Sequence, residues 1–459
     1  MGLCYTVVGE CPAATCCSGN SSSLCNILYW MLLIAGRRTA FFRAPNRHIY
    51  REVSKHMHCT HLIAADTWYV GASDRRLAKF ENLFPIPRGV SYNSYLIVDE
   101  KTALLDTADA SVSAQYLENT AYALNGRGLD YLIINHMEPD HAATIAEVLL
   151  RWPEVQIVCN AKTVPMLKNY FPAAAEKIDA ALLVKEGDVL SLGSHELTFV
   201  MAPMVHWPEV MLTFDKTTNV LFSADAFGTF GALDGNIFAD EVDFARDWLD
   251  DARRYYANIV GKYGAQVQAV LKKAAGLPIQ VIAPLHGPIW RQDLAWFLGK
   301  YDLWSRWQPE DQGVVVLYGS MYGNTASAAS ALAGLLADRG VQKIAVHDLS
   351  VVDTSEAVAE CFRASTIVLA APTYNGGLYL PMNALLEDLK ALSLQNRTFA
   401  LIENGSWAPM SGKLMAERVG ELKNCTLLDT RVTLRGALSP AQDADLAALA
   451  DAVVAAVKG

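Results

Sequence analysis

Long apolar runs, basic charge and paired cysteines are all scarce in this sequence of 459 residues, and each scarcity removes a class of function. The apolar run from Leu24 to Ala35 is about 12 residues, short of the roughly 20 that a membrane-spanning helix needs. No Lys or Arg precedes it, and no small-residue cleavage site follows the Gly36-Arg37-Arg38 that ends it, so a secretory leader is disfavoured. With 38 Lys and Arg against 48 Asp and Glu, the net charge of -10 argues against a nucleic-acid binder, which would need a basic surface. Of nine cysteines, five (Cys4, Cys11, Cys16, Cys17, Cys25) fall in the first 25 residues. Cys59, Cys159, Cys361 and Cys425 are far apart and in no metal-ligand or redox spacing. They read as reduced thiols of a cytoplasmic protein.

Residues 1 to 56 hold six basic and two acidic residues, while the other 403 positions hold 32 and 46. That seam marks 1–56 as an atypical extension outside the fold, with Met57 the expected natural start. Peptides from before Met57 in mass spectrometry of the native protein would overturn this. The remaining length suits two domains, each able to bury a core.

From Thr67 the pattern is β-rich: Trp68 to Gly71, Val90 to Val98, Ala103 to Asp106, Tyr131 to Ile134, Val155 to Cys159, Glu196 to Val200, Val220 to Ser223 and Gln280 to Ala283. Helices between several of these predict a mixed α/β sandwich over 57–308. After the polar and aromatic stretch Leu303 to Gln312 the pattern changes. Unalternating apolar runs at Val314 to Leu317, Ile344 to Val346, Thr366 to Ala370, Phe399 to Ile402 and near Thr426-Leu427-Leu428 alternate with Ala- and Leu-rich helical segments. Strands buried on both faces read this way, and the βαβ succession predicts a doubly wound parallel sheet over 309–459.

The sharpest signal is His136-Met137-Glu138-Pro139-Asp140-His141, directly after an apolar strand. Four potential ligands in six residues, imidazole mixed with carboxylate, suit a divalent transition metal. His206, Asp225 and His286 follow, each just past an apolar strand. Singly each is more often a turn residue or a helix cap. Their order and their separations of 70, 19 and 61 residues, taken by subtraction, give the set its weight.

That order resembles the metallo-β-lactamase-like fold, whose zinc hydrolases carry H-x-H-x-D-H in the first loop. Here Glu138 stands in place of the second histidine. A harder, anionic oxygen ligand favours iron over zinc, and the replacement is the mark of the flavodiiron branch. The resemblance implies that His136, Glu138 and His206 hold one iron, that Asp140, His141 and His286 hold the other, and that Asp225 bridges. About three carboxylate charges and one bridging hydroxide would balance two ferrous ions, which avoids burying unpaired charge.

The strand Val314 to Leu317 runs into Tyr318-Gly319-Ser320-Met321-Tyr322-Gly323-Asn324-Thr325, before the helical Ala326 to Ala337. Small and hydroxyl residues at a strand-to-helix turn let backbone N–H groups cradle a phosphate. Two further loops end strands of the same sheet, Pro372-Thr373-Tyr374-Asn375-Gly376-Gly377 and Asn404-Gly405-Ser406-Trp407, where a ligand of a parallel sheet belongs. The arrangement is similar to flavodoxin and implies FMN, with Tyr374 and Trp407 candidates to lie against its ring.

Together with Phe84 to Tyr95, these motifs make the chain resemble the flavodiiron family from about Met57 to the C-terminus. The resemblance implies that FMN passes electrons to a non-haem diiron site that reduces O₂ to water or NO to N₂O. It also implies a separate electron donor such as rubredoxin, and a head-to-tail homodimer or dimer of dimers that brings one subunit's flavin to the partner's irons. Two other readings stay open: a zinc hydrolase with a fused flavodoxin-like domain, which metal analysis would reveal, and a non-catalytic flavin electron carrier.

Overall fold

The computed structural model describes residues 58–458, and the readings made for residues 1–56 lie outside them. A seven-stranded sheet runs in the order His61–Ala64, Thr67–Tyr69, Tyr95–Val98, Thr102–Leu105, Tyr131–Ile133, Gln156–Cys159 and Leu182–Leu183. A five-stranded sheet runs Val189–Ser191, Glu196–Met201, Met211–Asp215, Val220–Phe222 and Val281–Ala283. Their inner faces meet in one core: the ring of Tyr95 lies 5.3 Å from that of Phe222. Central strands are buried on every residue, as their apolar composition demands.

The expected single strand Val90 to Val98 is two. Val90–Tyr92 pairs with Ala72–Asp74, and Tyr95–Val98 joins the seven-stranded sheet. The break falls at Asn93, whose buried amide donates to the carbonyls of Pro284 and Gly287 at 2.8 Å each. Those bonds clamp the loop that carries His286. Strand Met211–Asp215, in the middle of its sheet, has no counterpart in the sequence reading.

The third sheet is ordered Ile344–Asp348, Asp311–Tyr318, Ala364–Tyr374, Thr398–Asn404 and Thr426–Leu434, all parallel. In chain order this is 2-1-3-4-5, and the order reverses beside Asp311–Tyr318, where such sheets open a crevice for a ligand. Val314 to Leu317 are fully buried, each contributing about 1.5–3 kcal/mol. Helix Asn324–Asp338 packs Ala328, Leu332 and Leu336 on one face of this sheet. Among the described residues no helix is long and apolar enough to cross a membrane, and the four cysteines are free.

Glu310 ties the chain just before Asp311–Tyr318 to the preceding helices. Its carboxylate accepts from Arg253 Nε at 2.6 Å, Lys300 Nζ at 2.7 Å and Trp304 Nε1 at 3.1 Å. Burial alone would raise this carboxyl, but the bonds from Arg253 and Lys300 outweigh it and hold the group at about 2, below its usual 4.5. A depressed acid stabilises the fold above its unfolded pKa and loses that contribution as pH falls through the folded one. Glu310→Gln is therefore expected to cost about 3 kcal/mol at pH 7, because it leaves Arg253 with Asp250 as its remaining carboxylate and Lys300 without this one, and far less near pH 2. Urea unfolding of both proteins at the two pH values checks this.

Candidate functional site

Each candidate ligand stands on a loop that leaves a buried strand. His136 and Glu138 follow Tyr131–Ile133, and Asp140 and His141 sit in the short helix Pro139–Ala142. His206 follows Glu196–Met201, Asp225 follows Val220–Phe222, and His286 follows Val281–Ala283. The backbone is strained around them: Met204, Ala224 and Asp106 take positive φ of 66°, 49° and 55°. Gly287, with φ of 75°, lies so close to Thr229 that a Cβ would stand 2.1 Å from its Cγ2, so His286 can reach the cluster only with glycine after it.

All seven predicted metal residues converge, in two groups: His136, Glu138, His206 and Asp225, then Asp140, His141 and His286. Asp225 faces both. Its Oδ2 lies 3.1 Å from His206 Nε2 and 3.4 Å from His136 Nε2, while Oδ1 lies 3.1 Å from His141 Nε2 and 3.7 Å from His286 Nε2. Glu138 Oε2 is 3.3 Å from His136 and 3.0 Å from His206; Asp140 Oδ2 is 3.3 Å from His141 and 3.2 Å from His286. Donors held about 2.1 Å from one ion stand ~3.0–3.4 Å apart in tetrahedral or octahedral geometry, the spacing found here. Among the described residues both Asp140 oxygens and Asp225 Oδ1 are buried without a well-directed hydrogen bond. Nε2 of His141 and Nε2 of His286 are only 3.0 Å apart. Buried carboxylate oxygens without partners are costly, and cations between the two groups would satisfy them. The donor set fits two metal ions.

The charges of the cluster act on one another. Burial would depress the imidazolium of His141, but Asp140 and Asp225 outweigh it and raise the group to about 9; bonds to Asp225 and Glu138 likewise raise His206 to about 9. Burial would raise Glu138, but His136 and His206 hold it well below the carboxylate range, and Asp225 is lowered in the same way.

Several contributors escaped the sequence reading. Glu209 accepts from Nδ1 of His136 and from the backbone N–H of Met137, both at 2.9 Å. Asp106 accepts from the backbone of Asn135 and His136 and from the Asn135 amide, which shapes the first ligand loop; burial pushes its own carboxyl up to about 6. Glu81, at the tip of the hairpin Lys79–Phe80 and Phe84–Pro85, is exposed as a residue yet turns its carboxyl toward Glu138. Burial and that contact raise it to about 8. Glu209 had one sequence signal, an acid three residues after His206 in the same loop.

The predicted flavin loops gather at the carboxyl ends of the parallel strands. Ser320 to Thr325 follow Asp311–Tyr318 and lead into helix Asn324–Asp338, with Gly323 at φ 86° and Ser320 Oγ accepting its N–H at 3.1 Å. Pro372, Thr373 and Tyr374 end the next strand, and Asn375 and Gly376, at φ 50° and 75°, make the tight turn to Gly377. Asn404 is buried and donates to Thr325 Oγ1 at 3.3 Å and to the Gly436 carbonyl at 3.0 Å, so it braces the loops from beneath. Gly405, Ser406 and Trp407 follow it. Met321, Tyr322, Tyr374 and Trp407 are all exposed, Tyr322 and Trp407 to about nine-tenths.

Residues 90–287 match the family described as ODP family beta lactamase, a span that includes all seven metal candidates. The anaerobic nitric oxide reductase flavorubredoxin of Aeromonas hydrophila is 32% identical over 345 residues, covering 74% of this chain and 68% of that protein. The chain belongs to the flavodiiron family. Rubredoxin oxygen:oxidoreductase from Desulfovibrio gigas superposes with a TM-score of 0.80 at 28% identity, over 87% of this chain and 98% of that one. The flavodiiron protein of Giardia intestinalis gives 0.80 at 25% identity, over 87% and 96%. This flavodiiron chain is therefore an oxidoreductase, and its family implies flavin and non-haem iron.

Proposed function

We propose that this flavodiiron protein reduces dioxygen, nitric oxide or both at a diiron site supplied with electrons by FMN, with the metal domain over 57–308 and the flavin domain over 309–459. The observation that carries the reading is Asp225, one carboxylate offering an oxygen to each of two histidine and carboxylate groups. His136, Glu138 and His206 would hold one iron, Asp140, His141 and His286 the other. When bound, two ferrous ions with an open position supply the electrons and Lewis acidity that either gas requires.

The chain's own part is placement and charge. Asp225, Glu138 and Asp140 keep a doubly metallated pocket near neutrality, and Tyr92, Phe80 and Tyr255 wall it, with ring centroids 5.3–5.8 Å from that of His286. The loops at 319–325, 372–377 and 404–407 would hold FMN, with its phosphate at the N-terminus of helix Asn324–Asp338. The exposed Met321, Tyr322, Tyr374 and Trp407 suit burial against a second copy, head to tail, or a separate donor of the rubredoxin kind. A zinc hydrolase is the competing reading, and Glu138 weighs against it as a hard anionic ligand.

The test is anaerobic. Purified protein is reduced with an artificial donor, and O₂ and NO consumption are followed on matched electrodes. Catalytic loss of at least one gas is expected, and the ratio of the rates ranks the substrates. Loss of neither, with flavin reduced and two metals bound, would defeat the proposal.

A further inference from the structure

The four cluster histidines turn one ring nitrogen inward, and what stands behind the other nitrogen differs. Behind His136 is Glu209, its side chain wholly buried, with Oε1 2.9 Å from Nδ1. Behind His286 is only a neutral backbone carbonyl, that of Ser91 at 2.7 Å. Among the described residues Nδ1 of His141 has no partner, and His206 is hydrogen-bonded through its inward Nε2 to Asp225.

Glu209 is held in place from two sides. Its Oε1 also accepts the Met137 N–H, and its backbone carbonyl accepts the Asn160 amide. Oε2 is buried without a partner, and His136 is the one side chain paired with this carboxylate among the described residues. A carboxylate that accepts Nδ1–H fixes the tautomer that leaves the Nε2 lone pair free, locks the ring and strengthens its donation; a carbonyl does the first two with less charge. Trp207 adds to the locking, with its ring edge-on to His136 at 5.4 Å and 87°.

We propose that Glu209 is a positioning residue that makes the His136, Glu138 and His206 position the tighter of the two metal positions. This rests on the two-metal reading above. The ion at that position is the first to bind and the last to leave, while the Asp140, His141 and His286 position exchanges sooner.

The experiment uses the full chain with its flavin, loaded with ferrous iron under nitrogen and then mixed with excess colorimetric chelator. Wild type releases iron in two phases. In Glu209→Gln, which keeps the shape and removes the charge, the slower phase accelerates ~10–100-fold, the scale of such outer partners, while the faster phase stays within about two-fold. Glu209→Asp, which restores the charge, returns the slower phase toward wild type. An unchanged slow phase in E209Q, or equal acceleration of both phases, overturns the assignment to Glu209. Wild type that takes up fewer than two ions overturns the two-metal reading and this inference with it. If E209Q does not fold, zinc-loaded wild type labelled with ¹⁵N-histidine decides: one imidazole N–H, that of His136, is expected furthest downfield, and four equivalent imidazoles would sink the proposal.

Discussion

Asp225→Ala is expected to lower gas consumption by at least ~10²-fold, more than the loss of an outer partner alone, and to take the iron content below two per chain. The reason is geometric. Every other candidate donor serves one group, whereas Asp225 offers Oδ2 to His136 and His206 and Oδ1 to His141 and His286. Its removal weakens both metal positions at once and leaves four buried imidazoles without their common acceptor. Asp140→Ala should act on the second position only and leave one ion in place. Elemental analysis and the electrode assay read both effects, and the flavin absorbance, proposed above to come from the 309–459 domain, should stay at wild-type strength in each variant. An Asp225→Ala protein that keeps two irons and a wild-type rate would show that Asp225 does not join the two positions.

Stripping the metals from the intact protein should separate the two halves of the chemistry. With a chelator present during a cycle of reduction, the flavin should still accept electrons from an artificial donor, while NO consumption falls to background. The NO arm is the cleaner readout, since reduced flavin reacts with dioxygen unaided. Ferrous iron should restore the rate and zinc should not, because zinc has no redox chemistry to contribute. Restoration of NO consumption by zinc would refute the redox role. Equal NO consumption by stripped and loaded protein would move the activity to the flavin and favour the reading as a carrier.

The parts of this protein that were legible in the sequence are those whose cause is local. The buried strands of the third sheet appear as unbroken apolar runs, because a strand covered on both faces has no polar side to present. The six-residue segment His136 to His141 is legible because a loop leaving a strand can aim several neighbouring side chains at one point. The turns of the predicted flavin loops are legible because small residues mark them: Gly323, Asn375 and Gly376 take positive φ of 86°, 50° and 75°. Where local and distant forces compete the sequence misleads: Val90 to Val98 alternates like one strand, but the Asn93 amide, bound to Pro284 and Gly287 some 190 residues away, breaks it in two.

The sequence by itself determined the α/β fold class and the family, and it named the seven candidate donors that the fold brings together, since each depends on residue type within a short window or on the order of such windows. Tertiary structure alone decided the rest: that Asp225 stands between two donor groups, that Glu209 backs His136, that Glu81 neighbours Glu138, and that Glu310 pairs with Arg253 and Lys300. These are pairings between charged groups on separate elements of the chain. Their strength depends on close approach and on exclusion of water, and a linear order of residues encodes neither until the sheets and helices have packed.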